Sequence, residues 1–248
     1  MEKEAAKIPT ISEMMAKIAD LRVMGDDLIP HRYEPGGGRA CLVLGDNATG
    51  KSLVRRLLSH KYKDHGAEAI PLSMEGRAGG GMFGMKGFVY GDEDWKSTGH
   101  NSVGTFEGMV RTSRGRQKPH MVYLDEPDTG LSDRWARSLG RALADFLADP
   151  PELLAALFVT THRVALAREL LRVSPHALLV GPGWPATLEE WLAGDPRDPE
   201  PLEVLGERGI ALFRRIGSEC DKRIKEQDEE KADAPKKRAL KSAPKDGE

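Results

Sequence analysis

The chain has 248 residues, with 37 Lys and Arg against 39 Asp and Glu for a formal charge of −2, and it is 39% hydrophobic and 31% charged. That length fits one or two domains with a sizeable core, and the balanced charge excludes the whole-chain basic field that makes nucleic-acid binding automatic. Cys41 and Cys220 are too few for a disulfide framework or a Cys-based zinc site, no apolar run follows a basic head at the start, and the longest apolar run, Leu153 to Val159, falls far below the ~20 residues that span a bilayer, so a cytoplasmic protein without membrane insertion is expected. Thr10 and Glu13 stand at capping-box spacing, and Ile11, Met14, Met15, Ile18 and Leu21 recur at helical intervals, predicting a helix over about 10–24. With the Pro/Gly-rich stretch that follows, this makes an N-terminal helix and connection over residues 1–38.

RACLVLG, Arg39 to Gly45, is a continuous apolar run of the kind found in a strand buried on both faces. A helix from Lys51 to His60 and a strand from Ala67 to Leu72 follow, and Gly76 to Gly91 is glycine-dense enough to read as a loop. PHMVYLDEP holds a second buried strand, and Asp133 to Ala148 sets Trp135, Leu139, Leu143, Phe146 and Leu147 on one helical face. ALFVTTH and HALLVG are two further apolar strands, separated by a helix over Val164 to Val173. The alternation predicts an α/β core over residues 39–181, with a largely parallel central sheet flanked by helices. Residues 182–224 read as a helical extension, with a capped helix at Thr187 to Leu192 and another from Pro201 to Ile224. Residues 225–248 have almost nothing to bury and are predicted to be a disordered charged tail.

GDNATGKS, Gly45 to Ser52, fits G-x-x-x-x-G-K-[ST] between a buried strand and a helix start, the place where a phosphate loop works. Backbone N–H groups and the helix N-terminus gather phosphates, Lys51 reaches the terminal ones, and Ser52 offers a hydroxyl to Mg²⁺. The candidate nucleotide set is Gly45, Asp46, Asn47, Ala48, Thr49, Gly50, Lys51, Ser52 and Leu53. MVYLDEP then delivers Asp125 and Glu126 to a strand end beside the phosphate loop, Asp125 as a Mg²⁺ ligand and Glu126 as the group that polarises an attacking water. LFVTTH ends in His162, which a neighbouring parallel strand would bring within reach of the γ-phosphate or the water. The predicted fold is therefore a P-loop NTPase, its cofactors ATP and Mg²⁺, and its catalytic pair Glu126 and His162.

Together these residues resemble the ABC class of ATPases. GDNATGKS is close to G-P-N-G-x-G-K-S, Asn47 included, DEPDTGLS resembles a Walker B segment plus D-loop, and His162 falls at the switch histidine. The resemblance implies a reduced ABC-type core and a nucleotide-dependent homodimer, each protomer closing the other's site with a signature loop. The stretch that matches L-S-G-G-Q is Asn101 to Thr105, where Ser102 and Gly104 agree and Asn101, Val103 and Thr105 depart. Ser102, Gly104 and Thr105 are the expected trans-acting residues, and Ser97-Thr98-Gly99 is an alternative register. The interval from Ser52 to Ser102 is only 50 positions, shorter than in transporter subunits, and it contains no glutamine; Glu75 is the candidate replacement, and Tyr33 the candidate for stacking adenine. This compactness is similar to the soluble branch, the DNA mismatch-repair ATPases and the SMC-like and overcoming-lysogenization-type ATPases, the last through Thr160-Thr161-His162.

The implied activity is ATP hydrolysis that switches a protein partner or nucleic acid. Arg111, Arg114, Arg116 and Lys118 are the candidate contact, with the locally basic Lys236 to Lys245 as a weaker one. Two other readings compete: an ATP-dependent interaction module without turnover, and a P-loop kinase of small molecules.

Overall fold

Every residue of Ala40–Leu44 is apolar and buried, so the strand it forms needs cover on both faces. The computed structural model, which describes residues 8–19, 29–73, 98–183, 185–219 and 222, supplies it. Six strands, β1 (His31–Glu34), β2 (Ala40–Leu44), β3 (Glu68–Ser73), β4 (His120–Asp125), β5 (Leu154–Thr160) and β6 (His176–Val180), form one sheet in the order β1-β6-β2-β5-β4-β3. All neighbours run parallel except β1, which is antiparallel to β6. The helices are α1 (Ile11–Ala19), α2 (Lys51–Asp64), α3 (Thr98–Gly115), α4 (Asp133–Ala148), α5 (Val164–Leu170) and α6 (Leu188–Ala193), with a further helix over 202–219. This is an α/β fold with a mostly parallel sheet flanked by helices, as the alternation in the sequence predicts.

The two-residue period of the strands sorts their side chains between two cores. Leu42, Leu44, Val122, Leu124, Leu157 and Val159 join Leu139 and Leu143 of α4 and Leu166 of α5. Cys41, Val43, Met121, Tyr123 and Phe158 join Met14 and Ile18 of α1 and Val54, Leu58 and Tyr62 of α2 on the other face. On the first face α4 and α5 meet at Gly140, where an added Cβ would lie 2.6 Å from the Leu166 carbonyl oxygen.

Four features differ from the sequence reading. The segment His31–Glu34, assigned to a connection, is the edge strand β1; its alternation is too polar and too short to register, and it is held by pairing with β6. Trp135 is 56% exposed rather than on the buried face of α4, with the Arg134 guanidinium 5.5 Å from its ring centre. The helix after β5 ends at Leu170 and tightens into a 3-10 turn over Leu171–Val173. The chain divides into two units, 1–199 and 200–248, and α6, grouped with the C-terminal extension, is fastened to the first unit's core by Trp191. Gly76 to Gly91, Glu75 and the charged tail lie outside the described residues.

Candidate active site at the carboxyl ends of the strands

Where β2 gives way to α2, the chain turns through a loop that a side chain at its first position would block. Gly45 has φ 148° and a Cβ there would meet the Val180 carbonyl oxygen at 2.1 Å. The loop then turns back on itself, Ala48 at φ 57°, with the Thr49 hydroxyl donating to the Asp46 carbonyl at 2.9 Å and the Asn47 N–H to Asp46 Oδ1 at 2.8 Å. α2 starts on Gly50 with no side chain capping it, so its first N–H groups point out of the helix end. Lys51 folds back over the loop, its Nζ donating to the carbonyls of Asp46 at 2.6 Å and Gly45 at 3.1 Å. Burial pushes its pKa down, countered by the negative charges of Glu126, Asp46 and Asp125. Ser52 follows, exposed, and Leu53 is half-buried.

The strand register brings the other candidates to the same end of the sheet. Thr160, the last residue of β5, pairs with Val43 of β2 on one side and Asp125 of β4 on the other. Thus β5 stands between the phosphate-loop strand and the Asp-Glu strand, which are not direct neighbours. Asp125 receives Arg55 of α2, whose Nη1 is 3.8 Å from Oδ2. Glu126 takes a left-handed backbone, φ 51°, while its N–H donates to the Thr160 carbonyl at 3.0 Å. His162 Nε2 lies 3.4 Å from Glu126 Oε1, and the Thr129 hydroxyl donates to Oε2 at 3.4 Å. The hydrogen bond from His162 holds the Glu126 carboxyl below its ordinary range, against the opposing effect of partial burial.

His162 is braced from both sides. Thr161 donates to the buried Asp128 carboxylate at 2.7 Å, and its hydroxyl accepts the Arg163 N–H at 2.9 Å. Arg163 reaches on to Asp133 at 2.7 Å. Burial raises the Asp128 pKa, partly offset by the Thr161 hydrogen bond. The segment that follows Glu126 and the segment that carries His162 are therefore tied together at two points. Sequence reasoning did not identify Arg55, Asp128 or Arg163; apart from Asp128's place in the D-loop-like stretch, none belongs to a spaced motif, and only the fold brings them to the site.

The segment expected to act in trans is differently placed. Asn101 to Thr105 lies inside α3, past its first residues, so the backbone N–H groups there are spent on the helix itself. Ser102 and Thr105 are buried, Ser102 donating to the Thr129 carbonyl of the same chain at 3.0 Å, whereas an added Cβ at Gly104 would meet nothing. Tyr33 is likewise engaged: its ring stacks on His176 with centroids 5.7 Å apart, and its hydroxyl pairs with Ser12 and with His176 Nδ1. Within the basic cluster, Arg114 lies 3.6 Å from Asp149, and Arg116 and Lys118 share Glu68.

Ser52 and Asp125 offer a hydroxyl and a carboxylate, hard oxygen donors of the kind Mg²⁺ takes together with phosphate oxygens and water. No group of three or more His, Cys, Asp or Glu able to hold a metal by themselves occurs among the described residues. Nor is any helix among them long and apolar enough to cross a membrane.

Neither the protein-family models nor the curated proteins give a match to this chain. Among solved structures, the chain is similar to the crystal structure of Cdc6p from Pyrobaculum aerophilum, at 19% identity and a TM-score of 0.31, over 53% of this chain and 34% of that one. The chain thus spans about a third of that protein's length.

Proposed function

We propose that this chain is a P-loop ATPase of ABC type that hydrolyses Mg-ATP and uses the cycle, within a nucleotide-dependent homodimer, to switch a protein partner or nucleic acid. One observation carries the reading: Lys51, Asp125, Glu126 and His162, scattered over 112 positions of sequence, converge at the carboxyl ends of β2, β4 and β5. In an open α/β sheet that crevice is where ligands bind.

The backbone amides of the Gly45–Ser52 loop and the start of α2 receive the phosphates, and Lys51 exchanges the Gly45 and Asp46 carbonyls for phosphate oxygens. Ser52 and Asp125 would hold Mg²⁺, which when bound would supply charge neutralisation for the phosphates. Glu126, kept ionised by its hydrogen bond to His162, orients a water whose oxygen attacks the γ-phosphorus as the bond to the bridging oxygen breaks. The water's proton passes through Glu126 to the departing phosphate, leaving ADP. His162 restrains Glu126 through its contact with the carboxylate.

The decisive experiment pairs phosphate release with nucleotide binding. Glu126→Gln should retain Mg-ATP and lose turnover by about 10²–10³-fold, and Lys51→Ala should lose binding. A Glu126→Gln protein whose mass doubles with Mg-ATP supports the dimer; a monomer that binds ATP under both conditions removes it and favours an interaction module or a site completed by another protein. The inward packing of Ser102 and Thr105 favours a second reading, an interaction module that binds ATP without turnover. Binding without phosphate release by the unmutated chain would establish that instead, and phosphate appearing on an acceptor would point to a kinase.

A further inference from the structure

Asp46 puts a carboxylate in the middle of the loop proposed to gather phosphates, where an uncompensated negative charge opposes an anionic ligand. The fold meets that charge from 151 residues away: Arg197 Nη2 donates to Asp46 Oδ2 at 2.9 Å. The guanidinium is gripped from behind by Asp195, which accepts from Nη2 at 2.6 Å and from Nε at 2.8 Å, and also accepts the Arg197 N–H at 3.0 Å. This fork holds Asp195 down to about 2 and leaves Arg197 aimed at the loop.

The segment that carries Arg197 is itself anchored. Thr187 caps α6 by accepting the Glu190 N–H at 3.0 Å, and Glu190 accepts the Ala186 N–H at 2.9 Å. Glu34 of β1 accepts the Leu188 N–H at 3.1 Å, Arg32 of β1 donates to the Ala186 carbonyl, and Trp191 is buried. Gly194, at φ 102°, then turns the chain toward Asp195. The edge strand and the short helix thus deliver one arginine to one loop carboxylate.

We infer that Arg197 is a positioning residue for the phosphate loop, compensating Asp46 so that the loop accepts a polyphosphate anion; this rests on the nucleotide reading above. Arg197 acts through Asp46 and need not touch the ligand. The pair is about one-third exposed on each side, 37% and 34%, so its effect is screened by salt rather than absolute.

The test is Mg-ATP affinity by titration calorimetry in four proteins: unmutated, Arg197→Ala, Asp46→Asn and the double variant, each with its melting temperature. Arg197→Ala should weaken binding about 2–5-fold at low salt and less at high salt, as an exposed ion pair requires. Asp46→Asn removes the charge that Arg197 meets, so in its background removing Arg197 should cost almost nothing. A loss that persists in the Asp46→Asn background overturns the inference, because Arg197 would then act on the ligand or only as an anchor. Unchanged affinity in Arg197→Ala also overturns it, while ATP binding that Lys51→Ala abolishes leaves the nucleotide reading standing. No ATP binding by the unmutated chain overturns both. Should Arg197→Ala not fold, Arg197→Gln gives the same readout with the side-chain volume kept.

Discussion

Glu126 is constrained at the site in both backbone and side chain. Its φ of 51° is a conformation that costs a non-glycine residue on the order of 1 kcal/mol, and it is held by the Thr160 carbonyl at its N–H and by His162 at its carboxylate. The hydrogen bond from His162 lowers the Glu126 pKa from its ordinary 4.5, so the ionised form and the stability it brings are present above that value and lost as pH falls through the lowered one. His162→Ala removes the main cause of the shift. Turnover should fall about 10–100-fold, and the acid limb of the pH–rate profile should move up toward the ordinary carboxylate range. An unmoved limb would mean that Glu126 is not the group titrating. Thr161 offers a separate check next door: Thr161→Val takes the hydroxyl donor from the buried Asp128 carboxylate, leaving it Arg163 at 3.9 Å, and should lose about 1–3 kcal/mol in urea unfolding, with turnover falling as His162 loses its brace.

At the scale of elements, close approach sets the sign of substitutions that propensity alone would misjudge. Gly140→Ala in an exposed helix would gain about 1 kcal/mol, but here the new Cβ meets the Leu166 carbonyl oxygen at 2.6 Å, so α4 and α5 must separate. The expected result is a loss of about 1–3 kcal/mol by denaturant titration. Two histidines pin strand starts and do so neutral. His176 Nδ1 accepts the Gly36 N–H at 2.9 Å while Nε2 faces the Gly38 carbonyl at 3.1 Å, and His120 pairs with the Ser113 hydroxyl at 2.7 Å. Burial lowers both pKa values below the ordinary 6.5, so as pH falls the unfolded chain takes up protons first. Stability should therefore be greatest above about pH 6.5 and decline below it, a slope that His120→Gln and His176→Gln should each reduce in unfolding measured at about pH 7.5 and 5.5. Most of these elements were legible as strings: the apolar runs of β2, β4, β5 and β6 and the i, i+3, i+4 face of α4. The edge strand β1 was not, because HRYE has no apolar alternation and exists only by pairing with β6.

For the whole molecule, the proposed activity predicts a stability that depends on ligand. Mg-ATP at about 100 times its Kd adds about 2.7 kcal/mol, which for a chain of this size raises Tm by on the order of 5–10 °C; Lys51→Ala should abolish the rise in a melting experiment. The sequence alone determined the parts that are local. A G-x-x-x-x-G-K-S stretch between an apolar run and a helix start reads as a phosphate loop because its chemistry is made by consecutive backbone groups, and Asp125 and Glu126 are legible because the mostly apolar run Met121 to Leu124 precedes them. Only the tertiary structure decided what depends on strand order and on long-range pairing. It set β5 between β2 and β4, joined His162 to Glu126, turned Ser102 and Thr105 into the chain, and carried Arg197 back to Asp46. The physical reason is that an ion pair or a cross-strand contact leaves no periodicity in either of the segments that make it: a charged residue facing solvent and one facing a distant carboxylate are written with the same letter.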